Sequence, residues 1–81
     1  MTHDDIRRAF LDDLVSVAPD IDPASVRDGD HLQDDLEIDS MDFLNLVAAL
    51  HKRFGLDIPE ADYPHLATPG AAVRYLAGHL G

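Results

Sequence analysis

Residues 39–55 read DSMDFLNLVAALHKRFG, and this stretch decides the fold. Asp39 can cap the amino terminus of a helix, and Asp42 stands at the third helical position, where the helix dipole favours an anion. Apolar residues then recur at helical spacing, and Gly55 follows where a helix commonly ends. The stretch therefore predicts a helix from Ser40 to about Phe54.

This predicted helix has two apolar faces of unequal size. The larger face lies within about 50° of one direction on a helical wheel and predicts the main packing surface; its members are Phe43, Leu46, Val47, Leu50 and Phe54. The smaller strip lies nearly opposite and consists of Met41, Leu44 and Ala48. Either the short segment that follows the helix covers this strip, or a partner protein docks on it.

A first helix is predicted ahead of this stretch. Thr2 and Asp5 have the spacing of a capping box, and the helical stripe that follows is Ile6, Phe10, Leu14 and Val17. The helix should end before Pro19. From Pro19 to Asp39 the chain carries Pro23, Gly29 and eight acidic residues, which favours a long loop. Its apolar anchors are Ile21, Val26, Leu32, Leu36 and Ile38.

The carboxyl-terminal third predicts one short helix and one longer helix. The segment Pro59 to Leu66 contains Pro64 and can form only a short helical turn. Thr68 and Pro69 are a strong N-cap and first-position pair, and they open a last helix whose buried stripe is Val73, Leu76 and Leu80. The fold class is therefore all-α, a small bundle of three main helices plus one short helix, with a long loop between the first and second helices.

Length and charge restrict the possible functions. The chain has 81 residues, of which 46% are hydrophobic, enough for one core and one domain over residues 1–81 but not for a deep catalytic pocket as well. Sixteen acidic residues against six Lys and Arg give a net charge of −10, which repels nucleic acids and anionic membrane surfaces. Its protein partners should carry basic patches.

The start of the chain has no apolar signal segment, and no apolar run is long enough to cross a bilayer. We therefore expect a cytoplasmic monomer that does not insert into membranes. The chain has no cysteine, so any thiol chemistry needs a thiol from elsewhere.

Ser40 is the residue best placed for chemistry. A hydroxyl in the first turn of a helix, between carboxylates and apolar side chains, suits modification by another enzyme better than catalysis. Nothing around Ser40 resembles a nucleophile elbow, so a hydrolase is not predicted. The Asp-rich loop does not fit a calcium-binding EF-hand read from Asp20 or from Asp28, and the histidines have no metal-ligand spacing, so no metal site is predicted.

Several features together resemble the acyl carrier protein family. Residues 34–42 read DDLEIDSMD, an apolar helix follows, and residues 55–59 read GLDIP. An acidic loop before Asp-Ser-Met, a helix after it and Ile-Pro beyond it are far more specific together than the tripeptide alone. The similarity extends over essentially the whole chain, as a single acyl carrier domain.

The resemblance implies a carrier and not an enzyme. A separate phosphopantetheinyl transferase would attach 4'-phosphopantetheine from coenzyme A to Ser40, and the thiol of that arm would carry an acyl group as a thioester. Acyl-loading and acyl-processing enzymes would then be the partners, in fatty-acid, polyketide or other specialised lipid biosynthesis.

The resemblance also implies roles for neighbouring residues. Asp39 caps the helix and presents the serine, and the expected first contacts with partner enzymes are Met41, Asp42 and Leu44. Asp35 and Glu37 attract basic rims on those enzymes, whereas Asp28 and Asp30 are interpreted as solvated loop residues. Family members can shelter an acyl chain between helices, and the candidate lining residues are Phe43, Leu46, Val47, Leu50, Leu66 and Val73.

Some positions depart from the commonest bacterial fatty-acid carriers. Glu37 stands where they usually have Gly, Asn45 where they usually have Glu, and His51-Lys52-Arg53 replaces their acidic cluster. A docking face of mixed sign favours a dedicated carrier in a specialised pathway over the housekeeping synthase. The alternatives are an aminoacyl or peptidyl carrier, which usually has a glycine-rich approach to the serine, and an unmodified helical adaptor.

The carboxylate excess also leads to a prediction about salt. Millimolar Mg²⁺ or Ca²⁺ should raise the melting temperature, because divalent cations screen the repulsion between carboxylates. A melting curve at each step of a titration measures the effect. An unchanged or lowered melting temperature would contradict it.

Overall fold

Three α-helices and two 3₁₀ helices make up the regular structure of residues 1–80, the part of the chain that the computed structural model describes. Helix α1 spans His3–Val17, α2 spans Ser40–Phe54 and α3 spans Pro69–Leu80. The first 3₁₀ helix is Pro23–Ser25, within the predicted loop, and the second is Glu60–Leu66. The all-α prediction of three main helices and one short helix is confirmed, and no strand occurs among the described residues.

The helix ends follow the capping pattern that the sequence predicts. At the start of α1, Asp5 N–H donates to Thr2 Oγ1 at 3.1 Å and Thr2 N–H donates back to the Asp5 carboxylate at 3.3 Å. This backbone hydrogen bond from Thr2 lowers the pKa of Asp5. At the start of α3, Ala71 N–H donates to Thr68 Oγ1 at 3.2 Å. Gly55 ends α2 with φ 66°, a left-handed conformation that favours glycine.

The core lies where α1 packs against both α2 and α3. Its completely buried side chains come from every main helix and from the second 3₁₀ helix. They include Phe10, Leu14, Leu46, Leu50, Leu66 and Leu76. The prediction that Leu80 belongs to the buried stripe of α3 is wrong, since its side chain is 39% exposed. Gly78 and His79 are exposed as well, so the last turn of α3 extends beyond the core.

The long loop is held against the bundle by side chains and by backbone hydrogen bonds. Val26, Leu32 and Ile38 are buried, as predicted for loop anchors. Leu32 N–H donates to Ala67 O at 2.9 Å, which joins the loop to the segment before α3. Because its anchors are spread along its length, the loop reaches α2 in a defined conformation.

Asp28 and Asp30 do more than keep the loop solvated, which corrects the interpretation from sequence. Arg7 Nε donates to Asp28 Oδ1 at 2.9 Å, and Asp28 O accepts from Gly70 N–H at 3.0 Å. A Cβ on Gly70 would come within 3.1 Å of Asp28, so glycine permits this close approach. Asp30 accepts from Arg27 N–H at 2.9 Å and closes a turn. Both acids therefore shape the loop.

Tyr75 joins the second 3₁₀ helix to α3. Its hydroxyl donates to Asp62 Oδ2 at 2.8 Å. Burial and this hydrogen bond raise the pKa of Tyr75, because both disfavour the phenolate. Among the helices of residues 1–80, none combines the length and the apolar character that crossing a bilayer requires.

An ion pair that the sequence did not predict joins α1 to the end of α2. Asp13 is 93% buried, since only 7% of it is exposed, and its two carboxylate oxygens accept from Arg53 Nε and Nη2, both at 2.9 Å. This two-point contact raises the pKa of Arg53. Forty residues separate the partners in sequence, so only the packing of the helices brings them together.

Arg53→Met should lower the free energy of unfolding at neutral pH by about 1–2 kcal/mol, because the Asp13 carboxylate loses its partner in a desolvated position. We place the loss below that of a fully buried pair because the Arg53 side chain is 42% exposed. Lys52→Met is the matched control and should change stability by less than about 0.5 kcal/mol. Urea unfolding of both variants measures the difference, and equal losses would contradict the prediction.

Candidate functional site

Ser40 is the first residue of α2 and is exposed. The residues just before it explain its position. Ile38 is only 4% exposed and anchors the chain in the core. Asp39 then caps the helix, since its Oδ1 accepts from Asp42 N–H at 2.8 Å and its carbonyl accepts from Phe43 N–H at 2.9 Å. One buried residue and one cap therefore hold the Ser40 hydroxyl at the solvent-facing end of α2.

Glu37 adopts a left-handed backbone conformation with φ 59°, three residues before Ser40. Such a φ is uncommon for a residue with a Cβ and costs about 1–2 kcal/mol. The next residue, Ile38, donates its N–H to Leu32 O at 3.0 Å, which closes the turn. This geometry explains why glycine is usual at this position in the family that the sequence resembles, and it was not predicted for this chain.

A mostly apolar cleft of ≈ 410 Å³ opens beside Ser40. Its apolar walls come from the loop, α2 and the second 3₁₀ helix, and they are Leu32, Phe43, Leu44, Tyr63, Pro64 and Ala67. Its rim is polar and consists of His31, Gln33, Asp34, Ser40 and Glu60. We call this space the first cleft. A hydroxyl at the mouth of an apolar cleft can hold a tethered group whose far end folds back onto the protein.

A second cleft of ≈ 500 Å³ lies further along α2. It is lined by Leu44, Val47, Ala48, His51, Asp57, Ile58, Pro59 and Tyr63. Leu44 and Tyr63 line both clefts, which therefore adjoin each other at these two side chains. The Tyr63 ring packs edge-on against Phe43, with 5.7 Å between ring centroids and 72° between ring planes, a geometry worth about 0.5–1.5 kcal/mol beyond its buried area.

The smaller apolar strip of α2 is largely uncovered. Met41 is 74% exposed and Leu44 is 51% exposed, and Ala48 is exposed as well. Tyr63 of the second 3₁₀ helix packs on Phe43 of the larger face and also borders Leu44 in both clefts, so this helix lies beside the strip without covering it. Of the two possibilities left open by the sequence, the structure therefore favours a surface available to a partner.

The predicted cargo-lining residues separate into two groups. Phe43 lines the first cleft and Val47 lines the second. Leu46, Leu50 and Leu66 are 0% exposed and Val73 is 6% exposed. These four fill the closed core and line neither cleft, because helical periodicity identifies a buried face but cannot say whether that face borders open space. The sequence did not identify Tyr63 as a residue that lines the clefts. Tyr63 lies in a short segment that has no helical periodicity of apolar residues.

Carboxylates surround Ser40 without converging on one point. Asp35, Glu37 and Asp39 are exposed, and Asp42 is half-buried. Asp35 also has a structural contact, since its Oδ2 accepts from His31 N–H at 2.8 Å. Within residues 1–80, no three His, Asp or Glu side chains lie close enough to hold a metal ion. These carboxylates therefore give the surface around Ser40 a negative field.

The basic end of α2 carries less free positive charge than its sequence indicates. Arg53 is engaged by Asp13, and His51 Nδ1 lies 2.6 Å from Leu56 O and 3.7 Å from Asp57 Oδ1. Lys52 is exposed and forms no ion pair with another described residue. The predicted mixed sign of the docking face therefore depends mainly on Lys52.

Comparisons with known proteins agree with this geometry. A family model described as a phosphopantetheine attachment site matches residues 9–76. An acyl carrier protein from Lactobacillus johnsonii is 37% identical over 79 residues, 98% of this chain and 98% of its own length. One from Wolinella succinogenes is 33% identical over 73 residues, 90% of each chain.

A solved structure extends the similarity to three dimensions. The structure, described as that of a thermally stable acyl carrier protein from Enterococcus faecalis, superposes with a TM-score of 0.74 at 29% identity. The match covers 96% of this chain and 98% of the other. The arrangement of helices and loop described above is therefore shared along nearly the full length of both chains.

Glu37→Gly should raise the free energy of unfolding by about 0.5–1 kcal/mol, because glycine adopts φ 59° without the Cβ penalty, partly offset by its greater freedom in the unfolded chain. Glu37→Ala removes the same charge but keeps the Cβ, so it should change stability much less. Urea unfolding of both variants tests this. If the glycine variant is no more stable than the alanine variant, the backbone argument fails.

Proposed function

The chain belongs to the acyl carrier protein family, and from this membership we propose that Ser40 is the residue to which 4'-phosphopantetheine is attached. Members of the family are carriers and not enzymes, and their prosthetic group is covalent. The observation that carries the proposal is the position of the Ser40 hydroxyl, exposed at the start of α2 and on the rim of an apolar cleft.

The residues around Ser40 fit this group. An exposed hydroxyl is open to a modifying enzyme, and the first cleft offers apolar walls directly beside it. When bound, the group supplies a thiol that holds an acyl chain as a thioester. The chain itself contributes a rigid attachment point, because Ile38 is buried and the Asp39 carboxylate is already engaged in capping α2.

The charges near Ser40 favour a phosphate that faces solvent. The amino terminus of α2 is equivalent to about half a positive charge, and Asp35, Glu37, Asp39 and Asp42 together outweigh it. An anion attached to Ser40 is therefore not drawn tightly onto the protein. The same carboxylates attract basic surfaces on the transferase and on acyl-loading and acyl-processing enzymes, which raises encounter rates.

Met41 and Leu44 form the apolar centre of the proposed docking surface, and Asp42 lies between them in sequence. The two apolar side chains are among the most exposed large hydrophobic residues of the described chain. Exposed apolar residues that are surrounded by charged residues are typical of a protein interface. Docking there brings a partner's active site to the residue that bears the cargo.

We further propose that the carrier serves a specialised acyl pathway, such as polyketide or lipid-modifying biosynthesis, rather than the housekeeping fatty-acid synthase. The support comes from the exposed side of α2. Asn45 and Lys52 are exposed where the common fatty-acid carriers are usually acidic. A partner enzyme would therefore need a less basic surface opposite this end of the helix.

Incubation with coenzyme A and a broad-specificity phosphopantetheinyl transferase should add the mass of one phosphopantetheine group to the chain. Ser40→Ala should abolish the gain, because it removes the accepting hydroxyl and little else. Intact-protein mass spectrometry measures the result.

The matched controls are Ser16→Ala and Ser25→Ala, which remove the other two serines. Both should be modified as completely as the unaltered chain. Modification that persists in Ser40→Ala would move the attachment site elsewhere. If the folded, unaltered chain is never modified, it is a helical adaptor that uses the same exposed strip.

A further inference from the structure

We propose that His31, when its imidazole is protonated, binds the phosphodiester of the arm attached to Ser40 and holds that end of the arm at the rim of the first cleft. This inference rests on the proposed attachment at Ser40 and deepens it, because it names a residue that positions the arm. While His31 is neutral, the surrounding carboxylates leave the phosphate in solvent. The protonation state of one imidazole therefore governs how the arm leaves the protein surface.

His31 is the one cationic group available beside Ser40. Of the described residues that line the first cleft, only His31 has a side chain that can carry a positive charge. Asp34 and Glu60 are acids, and Tyr63 ionises only to an anion. A phosphodiester on Ser40 therefore has a single electrostatically favourable neighbour on this rim.

The backbone at His31 is held by several hydrogen bonds. His31 O accepts from Asp35 N–H at 2.8 Å and from Leu36 N–H at 3.1 Å. His31 N–H donates to Asp35 Oδ2 at 2.8 Å. The next residue, Leu32, is buried and donates to Ala67 O at 2.9 Å. The imidazole therefore starts from a fixed backbone, which lowers the entropy lost when it binds a second group.

The contact between His31 and Asp35 leaves one ring nitrogen free. His31 Nδ1 lies 3.5 Å from Asp35 Oδ2, and the His31 side chain is 59% exposed. A neutral imidazole has one N–H, whereas an imidazolium has two. Protonation therefore lets Nδ1 keep facing Asp35 while Nε2–H donates to a phosphate oxygen, in a charge-assisted hydrogen bond.

Other titratable groups face this space from two elements. Asp34 and Asp35 belong to the loop, and Glu60 and Tyr63 belong to the second 3₁₀ helix. The residues that α2 contributes to the cleft do not ionise near neutral pH; they are Ser40, Phe43 and Leu44. Carboxylic acids and phenols ordinarily titrate outside the range of about pH 5 to 8. A change within that range therefore reports an imidazole.

The test is the ³¹P NMR signal of the chain modified with coenzyme A and a broad-specificity transferase, recorded from about pH 5 to 8. A phosphodiester has no ionisation of its own in this range, so a step in its chemical shift reports a neighbouring group. The signal should change in one step, with the same midpoint as the His31 ring signals. That midpoint should lie about half a pH unit higher than in the unmodified chain, the size expected for one exposed ion pair.

His31→Gln should abolish the step in the ³¹P signal, because glutamine keeps an N–H donor but cannot be protonated. His3→Gln is the matched control, since it removes an exposed histidine at the start of α1 and should leave the step unchanged. The comparison of the modified with the unmodified chain needs no substitution, so the test does not depend on the folding of His31→Gln.

Two results would overturn the inference. One is a fully modified chain whose ³¹P signal shows no step, with His31 ring signals that titrate as they do before modification. The other is a step of the same size in His31→Gln. Both differ from a failure of the proposed function, in which mass spectrometry shows no group on Ser40 and the attachment and this inference fall together.

Discussion

The burial of one face of α2 is the constraint on which the rest of the structure depends. Phe43, Leu46, Val47 and Leu50 lie against the core and fix the rotation of the helix about its axis. With that face buried, Met41 and Leu44 point outward and Ser40 stands at the exposed end. A rotation of α2 that exposed its buried face would bury Met41 and Leu44 instead and forfeit several kcal/mol of apolar burial.

The loop segment that leads to Ser40 is well anchored but contains one residue in a strained backbone conformation. Arg7, Gly70 and Ala67 hold the long loop against the bundle, and Ile38 anchors its last turn. Glu37 occupies an unfavourable left-handed conformation inside this well-anchored segment. The surrounding contacts offset the cost, and strain that persists in this way is commonly found close to functional sites.

The acidic residues differ in whether they pair with a cationic side chain. Asp13 and Asp28 pair with arginines and contribute to the fold. The acids nearest Ser40 stay at the surface, apart from backbone contacts that shape the loop and cap α2. Under the proposed function, the exposed charges would steer encounters with partner enzymes without forming contacts that are costly to break.

The amino-acid sequence by itself determined the helices, their caps, the loop anchors and the exposed serine, because these depend on local periodicity and on hydrogen bonds between near neighbours. It could not determine the Asp13–Arg53 pair, the conformation of Glu37 or the contact between Tyr63 and Phe43, and it wrongly assigned Leu80 to the core. Those features depend on which distant segments meet. Only the tertiary structure decided where apolar side chains fill the core and where they line a cleft, because open space is a property of packed elements and not of any one of them.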